Sequence, residues 1–237
     1  MGHEVELNVG DGTMGLYVAE PDGDARGAVI VLQEAFGVNA HIRDVTDRFA
    51  AAGYVGVAPH LFHRSGDPEL GYEDMQEVMP YIMQLQADQV EADIEATLAH
   101  LAGSGFEPAK VAIVGFCMGG SIAFVAGCFW KLGAAVSFYG GGIAQSRFGF
   151  PPLFDLAPTL QTPWLGLFGD LDASIPVNEV EGLRTAAQKA APDTEVVRYA
   201  EANHGFHCDA RSSYHEASAK DAWKLALQWF DTHLSKA

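Results

Sequence analysis

Positive charge is scarce in this chain. Its 237 residues carry 14 Lys and Arg against 31 Asp and Glu, a formal net charge of −17 at pH 7. Such an acidic balance repels phosphate backbones and anionic lipid surfaces, so neither nucleic acid nor membrane is expected as a partner. Cysteine is also scarce: Cys117, Cys128 and Cys208 are the three, without disulfide-like spacing. That suits a reducing compartment. No apolar run reaches the length of a membrane span, and the polar start MGHEVELNVG has no signal-like apolar core. A cytoplasmic protein is the expectation. Repeats, low-complexity tracts and linkers are missing too, so residues 1–237 read as a single domain with enough length for a full core. Nearly half the residues are apolar, as in a globular protein.

What is present centres on residues 110–127, KVAIVGFCMGGSIAFVAG. Residues 111–114 form a short β-branched apolar run, the mark of a buried parallel strand. Residues 121–125 stay apolar but take helical spacing. Between them, Gly115-Phe116-Cys117-Met118-Gly119-Gly120 puts small residues two before and two after Cys117. A strand that turns at once into a helix needs this spacing. It is the nucleophile-elbow pattern, with Cys in the place of Ser. The helix N-terminus behind it favours thiolate over thiol.

The rest of the chain alternates strands with helices. Residues 4–9 and 14–18, split by Asp11-Gly12, read as a hairpin. Strands are predicted at 27–33, 54–58, 111–114, 134–139, 164–168 and 195–199. Asn39 caps a helix whose Ile42, Val45 and Phe49 share a face. Further helices are predicted at 88–101, 121–125 and 177–190, and in a closing segment whose inner face carries Trp223, Leu227, Phe230 and Leu234. This order predicts an α/β fold: a mostly parallel twisted sheet with helices on both faces and an antiparallel leading hairpin. Two connections are long, 59–87 and 140–162. Both leave the carboxyl ends of strands, where open α/β sheets hold ligands, and part of the first is a candidate lid.

An elbow nucleophile requires an acid and then a base, in that chain order. Asp170 and Asp172 follow the strand at 164–168, and His204 follows the last strand. All lie at strand ends on the side of Cys117. His204 can take the thiol proton and later activate water, and either Asp can fix its tautomer.

At these residues the chain resembles the dienelactone hydrolase family of α/β-hydrolases. Gln33-Glu34-Ala35-Phe36-Gly37-Val38-Asn39 is similar to the family's Q-E-x-F-G-x-N, residues 115–120 to G-x-C-x-G-G, and His204-Gly205-Phe206 to H-G/S-F. Asp172 precedes Pro176 by four residues, as the family's acid does, so the resemblance selects it over Asp170. The resemblance implies an α/β-hydrolase fold and a Cys117–His204–Asp172 triad that cleaves small activated esters or lactones. It implies no cofactor. It also implies that Glu34 governs the protonation of the nucleophile, that the amides of Ala35 and Met118 form an oxyanion hole, and that Tyr139 lines the site.

One departure concerns substrate charge. Family members that act on dienelactone hold its carboxylate with two arginines, one before the helix at 88–101 and one four residues after the His. Here residues 71–89 contain no Arg or Lys, and Cys208 fills the second position. Arg64, Arg147 and Arg211 are the candidates to replace them, and neutral substrates are expected to do better than carboxylate-bearing ones. No metal is expected: His60-x-x-His63 lies in an irregular loop, and His204-x-x-His207-Cys208 overlaps the triad. A non-catalytic small-molecule binder and a redox-sensing thiol are the competing readings. The assembly expected is a monomer or small homo-oligomer.

Overall fold

The computed structural model describes residues 2–72 and 75–234. The chain opens with a hairpin of β1 (His3–Val9) and β2 (Gly12–Ala19), paired antiparallel. β3 (Ala28–Leu32) follows, buried at every residue, as a strand covered on both faces must be. α1 (Ala40–Ala51) starts at Asn39, whose side chain accepts from the Ile42 amide at 3.2 Å. Ile42, Val45 and Phe49 are its buried face. β4 (Val55–Pro59) comes next, then α2 (Met75–Gln84) and α3 (Ala87–Gly103). β5 (Val111–Phe116) runs into α4 (Met118–Phe129) through Cys117 alone. β6 (Ala134–Phe138), the single turn α5 (Leu153–Leu156), β7 (Trp164–Gly169), α6 (Val177–Ala187), β8 (Thr194–Tyr199) and α7 (Glu216–His233) complete the order.

All eight strands form one sheet, ordered β1-β2-β4-β3-β5-β6-β7-β8. β2 meets β4 antiparallel, and every pairing from β4 to β8 is parallel. The chain leaves β3 first toward β4 and later returns to its other side at β5. Strand order therefore reverses between β3 and β5, and a crevice opens at their carboxyl ends. The elbow stands at that point. Gly119 N–H donates to the Gln33 carbonyl at 3.1 Å, tying the first turn of α4 to the end of β3. Gly115 allows the approach: a Cβ there would lie 1.9 Å from the Gly119 carbonyl oxygen.

Two expectations change. The long connection at 59–87 is half helical, because α2 forms within it. Val78, Tyr81, Ile82 and Leu85 give it a helical stripe, and Val78 is fully buried against Ala35 and Phe36. Pro80 inside the helix masks this signal in the sequence. On α7 the innermost residues are Ala222, Ala226 and Phe230, with Leu234 just beyond; Trp223 and Leu227 are only half-buried flanks. Alanines let this helix lie close against the sheet, which a reading that follows the largest apolar side chains overlooks. Among the described residues, no helix is long and apolar enough to cross a membrane.

Candidate active site

A cavity of about 810 Å³ opens at the crevice. Ala35, Cys117, Met118, Asp172, His204, Arg147 and Arg211 line it, together with Met79, Ile82, Met83, Leu85, Phe148 and Ile175. Cys117 sits at the elbow with φ 55° and ψ −113°, a left-handed backbone that a non-glycine residue adopts at a cost. Its own N–H donates to the Phe138 carbonyl at 3.0 Å, which fixes the corner to β6. The thiol is partly exposed, whereas Cys128 and Cys208 are buried; all three are free.

His204 comes from the loop after β8 and Asp172 from the loop after β7. His204 Nδ1 lies 2.6 Å from Asp172 Oδ2. The other carboxylate oxygen accepts from the Ser174 amide at 2.8 Å and its hydroxyl at 2.6 Å. Asp172 is thus saturated and nearly buried. Burial works against its charge, yet these bonds hold its carboxyl below the usual range. Burial also disfavours a charged His204, but the Cys117 sulfur and the Asp172 carboxylate outweigh it and push the ring up to about 10. A ring that keeps its proton through neutrality places a positive charge beside the Cys117 sulfur. Asp170 points elsewhere, into a two-pronged bond with Arg198 at 2.7 and 2.8 Å. Ser174 was invisible to triad reasoning; the Asp-x-Ser spacing of an Asx turn is the signal that marks it.

Ala35 and Met118 both line the cavity, one from the end of β3 and one at the start of α4. Met118 is the first helical residue, where an N–H has no intrahelical acceptor. Glu34 is fully buried just behind them. Its Oε1 accepts from Arg211 Nη1 at 3.2 Å, while Oε2 has no partner.

The candidate arginines divide. Arg64 does not reach the cavity. It is held by Asp11 at 2.6 and 2.8 Å and by the fully buried Asp93 of α3 at 2.8 and 3.0 Å, because a buried carboxylate needs an opposite charge. Arg147 and Arg211 do line the cavity. Arg211 returns to it through two successive turns, Cys208 N–H to the Gly205 carbonyl and Arg211 N–H to the Cys208 carbonyl, at 3.0 and 3.1 Å. Gly205, at φ 77°, makes room: a Cβ there would come 2.6 Å from the guanidinium carbon. Arg211, one of the candidates, thus reaches the cavity from a position seven residues after His204. Tyr139 differs from the expectation that it lines the site. It is fully buried and does not line the cavity; its ring packs 5.1 Å from His204 instead. Burial, with Glu34 and Cys208 nearby, holds its phenol well above the ordinary value.

Behind Glu34 lies a buried polar cluster that no sequence motif marks. His41 and Cys208 each bring a donor atom there, and these and a Glu34 oxygen lie within 4.8 Å of one another. His41 Nε2 and Tyr139 Oη are buried without partners. Among the described residues these are the groups able to hold a metal ion. The pairs weighed in the sequence are not: His60 faces Asp67 and Glu4, and His63 faces Asp93 at 3.2 Å. His207 turns away from His204 to pack on Phe116 and Trp223. Cys208 does not line the cavity, so it does not meet Cys117 there.

The dienelactone hydrolase family model matches residues 14–234. The chain is 39% identical over 222 residues to a Yersinia pestis protein named "Putative carboxymethylenebutenolidase", covering 92% of this chain and 83% of that one. It is 29% identical over 232 residues to the carboxymethylenebutenolidase of Pseudomonas putida, covering 94% and 93%. A crystal structure titled "Putative Dienelactone Hydrolase", from Klebsiella pneumoniae, superposes with a TM-score of 0.90 at 37% identity over 98% of both chains. The mostly parallel sheet with its strand–turn–helix corner is the α/β-hydrolase fold. Within that class, this chain belongs to the dienelactone hydrolase family and is a hydrolase of that type.

Proposed function

We propose that the protein cleaves small activated esters or lactones with Cys117 as nucleophile, His204 as base and acid, and Asp172 as the group that orients His204. The observation that carries this reading is the 2.6 Å contact between His204 and Asp172, on a ring that also engages the Cys117 sulfur. The thiolate attacks the carbonyl carbon. The resulting oxyanion sits on the N–H groups of Ala35 and Met118, each donor contributing about 3 kcal/mol. The C–O bond to the leaving group breaks as His204 gives up its proton, leaving a thioester on Cys117. His204 then takes a proton from water, whose hydroxide attacks the thioester and restores the thiolate. A thiolate is itself a good leaving group, so attack on an ordinary alkyl ester tends to revert. That favours enol lactones, aryl esters and thioesters. No step uses a metal or cofactor.

Glu34 lies where it can set the charge around the sulfur, and it neutralises Arg211. Arg147, by contrast, has no carboxylate partner among the described residues and stands exposed at the cavity. A carboxylate-bearing substrate would therefore meet one unpaired guanidinium on the Arg147 side of the cavity, while neutral substrates remain the better ones elsewhere in it.

Cys117→Ala tests the reading. It should stay folded and lose p-nitrophenyl acetate hydrolysis by up to roughly 10⁶ in turnover, while wild type gives a burst of nitrophenolate. Activity within tenfold of wild type would mean the thiol is not the nucleophile. A folded, ligand-binding protein with no burst on any aryl ester would favour the non-catalytic binder.

A further inference from the structure

We propose that the part of the cavity beneath α2 is a subsite for an apolar acyl group, an alkyl chain or an aryl ring. The proposal rests on the reading of Cys117 as nucleophile. α2 is fixed at the site: Val78 is fully buried against Ala35 and Phe36, the loop proposed to receive the oxyanion, and Ile82 packs on the same cluster. From this anchored helix and its exit, Met79, Ile82, Met83 and Leu85 face the cavity, and Phe148 adds a ring to the lining. Met79 and Met83 are 44% and 77% exposed. A helix that buries Val78 yet leaves two methionines open at the rim of a cavity has apolar surface for a ligand to cover.

The same stretch, residues 71–89, holds no Lys or Arg. Nothing on this wall compensates a carboxylate, and burying one there would be costly. Direction follows from the chemistry. His204 must protonate the leaving group, so that group lies on the His204 side. The acyl portion then points away from His204, toward the Ala35 loop on which α2 sits. The 810 Å³ cavity has room for far more than an acetyl group.

The test keeps the leaving group constant and varies the acyl group: p-nitrophenyl acetate, p-nitrophenyl hexanoate and mono-p-nitrophenyl glutarate. Each well-buried methylene is worth about 0.8 kcal/mol, or roughly fourfold, so partial burial of the longer chain should raise kcat/KM by about 10- to 100-fold over acetate. Glutarate, of similar length, should fall well below hexanoate. Met79→Arg should lower the ratio of hexanoate to acetate kcat/KM by about tenfold and raise that of glutarate to acetate. Met79 is already exposed, so the change removes little packing; Met83→Arg serves if Met79→Arg fails to fold. Hexanoate no better than acetate in wild type, or a loss shared equally by all three esters in the variant, overturns the proposal. Failure of the nucleophile assignment looks different: Cys117→Ala would then hydrolyse all three esters, whatever their order.

Discussion

Among the described residues two carboxylates, Asp93 and Glu34, are wholly buried and each meets an arginine, but the two pairs are built differently. Asp93 has both oxygens engaged, by two nitrogens of Arg64 and by His63 at 3.2 Å. Arg64 in turn is held on its other edge by Asp11. Glu34 has one oxygen on Arg211 at 3.2 Å and the other unpartnered, and its arginine faces a cavity. The first pair is closed and fixes the segment at 63–65 to α3. The second is open, and a buried carboxylate left half satisfied is a group kept available at the expense of stability. Completeness of bonding, more than burial or charge, separates a fastening from a working part.

Asp172 tests that distinction hardest, because both its oxygens are engaged and yet its partner His204 lines the cavity. If it orients His204, Asp172→Asn should lower turnover by about 10² to 10⁴ through the wrong imidazole tautomer. Asp170→Asn, which loosens only Arg198 at the edge strand β8, should cost far less. A reversed order would place the acid at Asp170 and put Asp172 among the fastenings.

The two arginine pairs can be separated by readout. Arg64→Met strips the main charge from a buried Asp93 and should cost about 3 kcal/mol of stability, with kcat/KM of the folded fraction unchanged. Glu34→Gln should do the opposite: stability within about 1 kcal/mol, because Arg211 can turn to solvent, but kcat/KM lower by about tenfold as a charge-assisted contact is lost. Thermal denaturation and steady-state kinetics on both variants decide. If Glu34→Gln unfolds the protein and Arg64→Met slows the reaction, the comparison is wrong.

A smaller effect concerns pH. His204 is raised from 6.5 to about 10 in the folded state. The folded protein therefore holds this proton more tightly than the unfolded chain. Stability from the charged ring is complete below about pH 6.5 and is lost as pH rises from there to about 10. Activity on an ester whose alkoxide leaving group needs a proton should likewise fall as pH passes about 10. A His204→Gln variant should lose this part of the alkaline destabilisation; an unchanged profile would mean that His204 is not charged.

Much of this arrangement is written in local patterns. The β-branched run before Gly115, the small residues around Cys117 and the order Cys, Asp, His are nearest-neighbour signals, and so are Asn39 as a cap and the strand–helix alternation that specifies the sheet. What eluded sequence reasoning depends on how separate segments fold back. Arg211 reaches the cavity only because two tight turns follow Gly205, a path that counting residues from His204 does not reveal. Arg64 is claimed by Asp93, some thirty residues away in sequence. α2 is hidden by Pro80, and its stabilisation comes from packing Val78 on the Ala35 loop. The buried meeting of Glu34, His41 and Cys208 joins three segments that share no motif.

The claim on which the account depends is that an acyl group is carried by Cys117. Enzyme quenched in acid during turnover of p-nitrophenyl hexanoate and digested should show the acyl mass on the peptide containing Cys117, labile to hydroxylamine, and none on peptides containing Cys128 or Cys208. Hydrolysis that proceeds at full rate with no adduct on Cys117, or with the adduct on another residue, would contradict it.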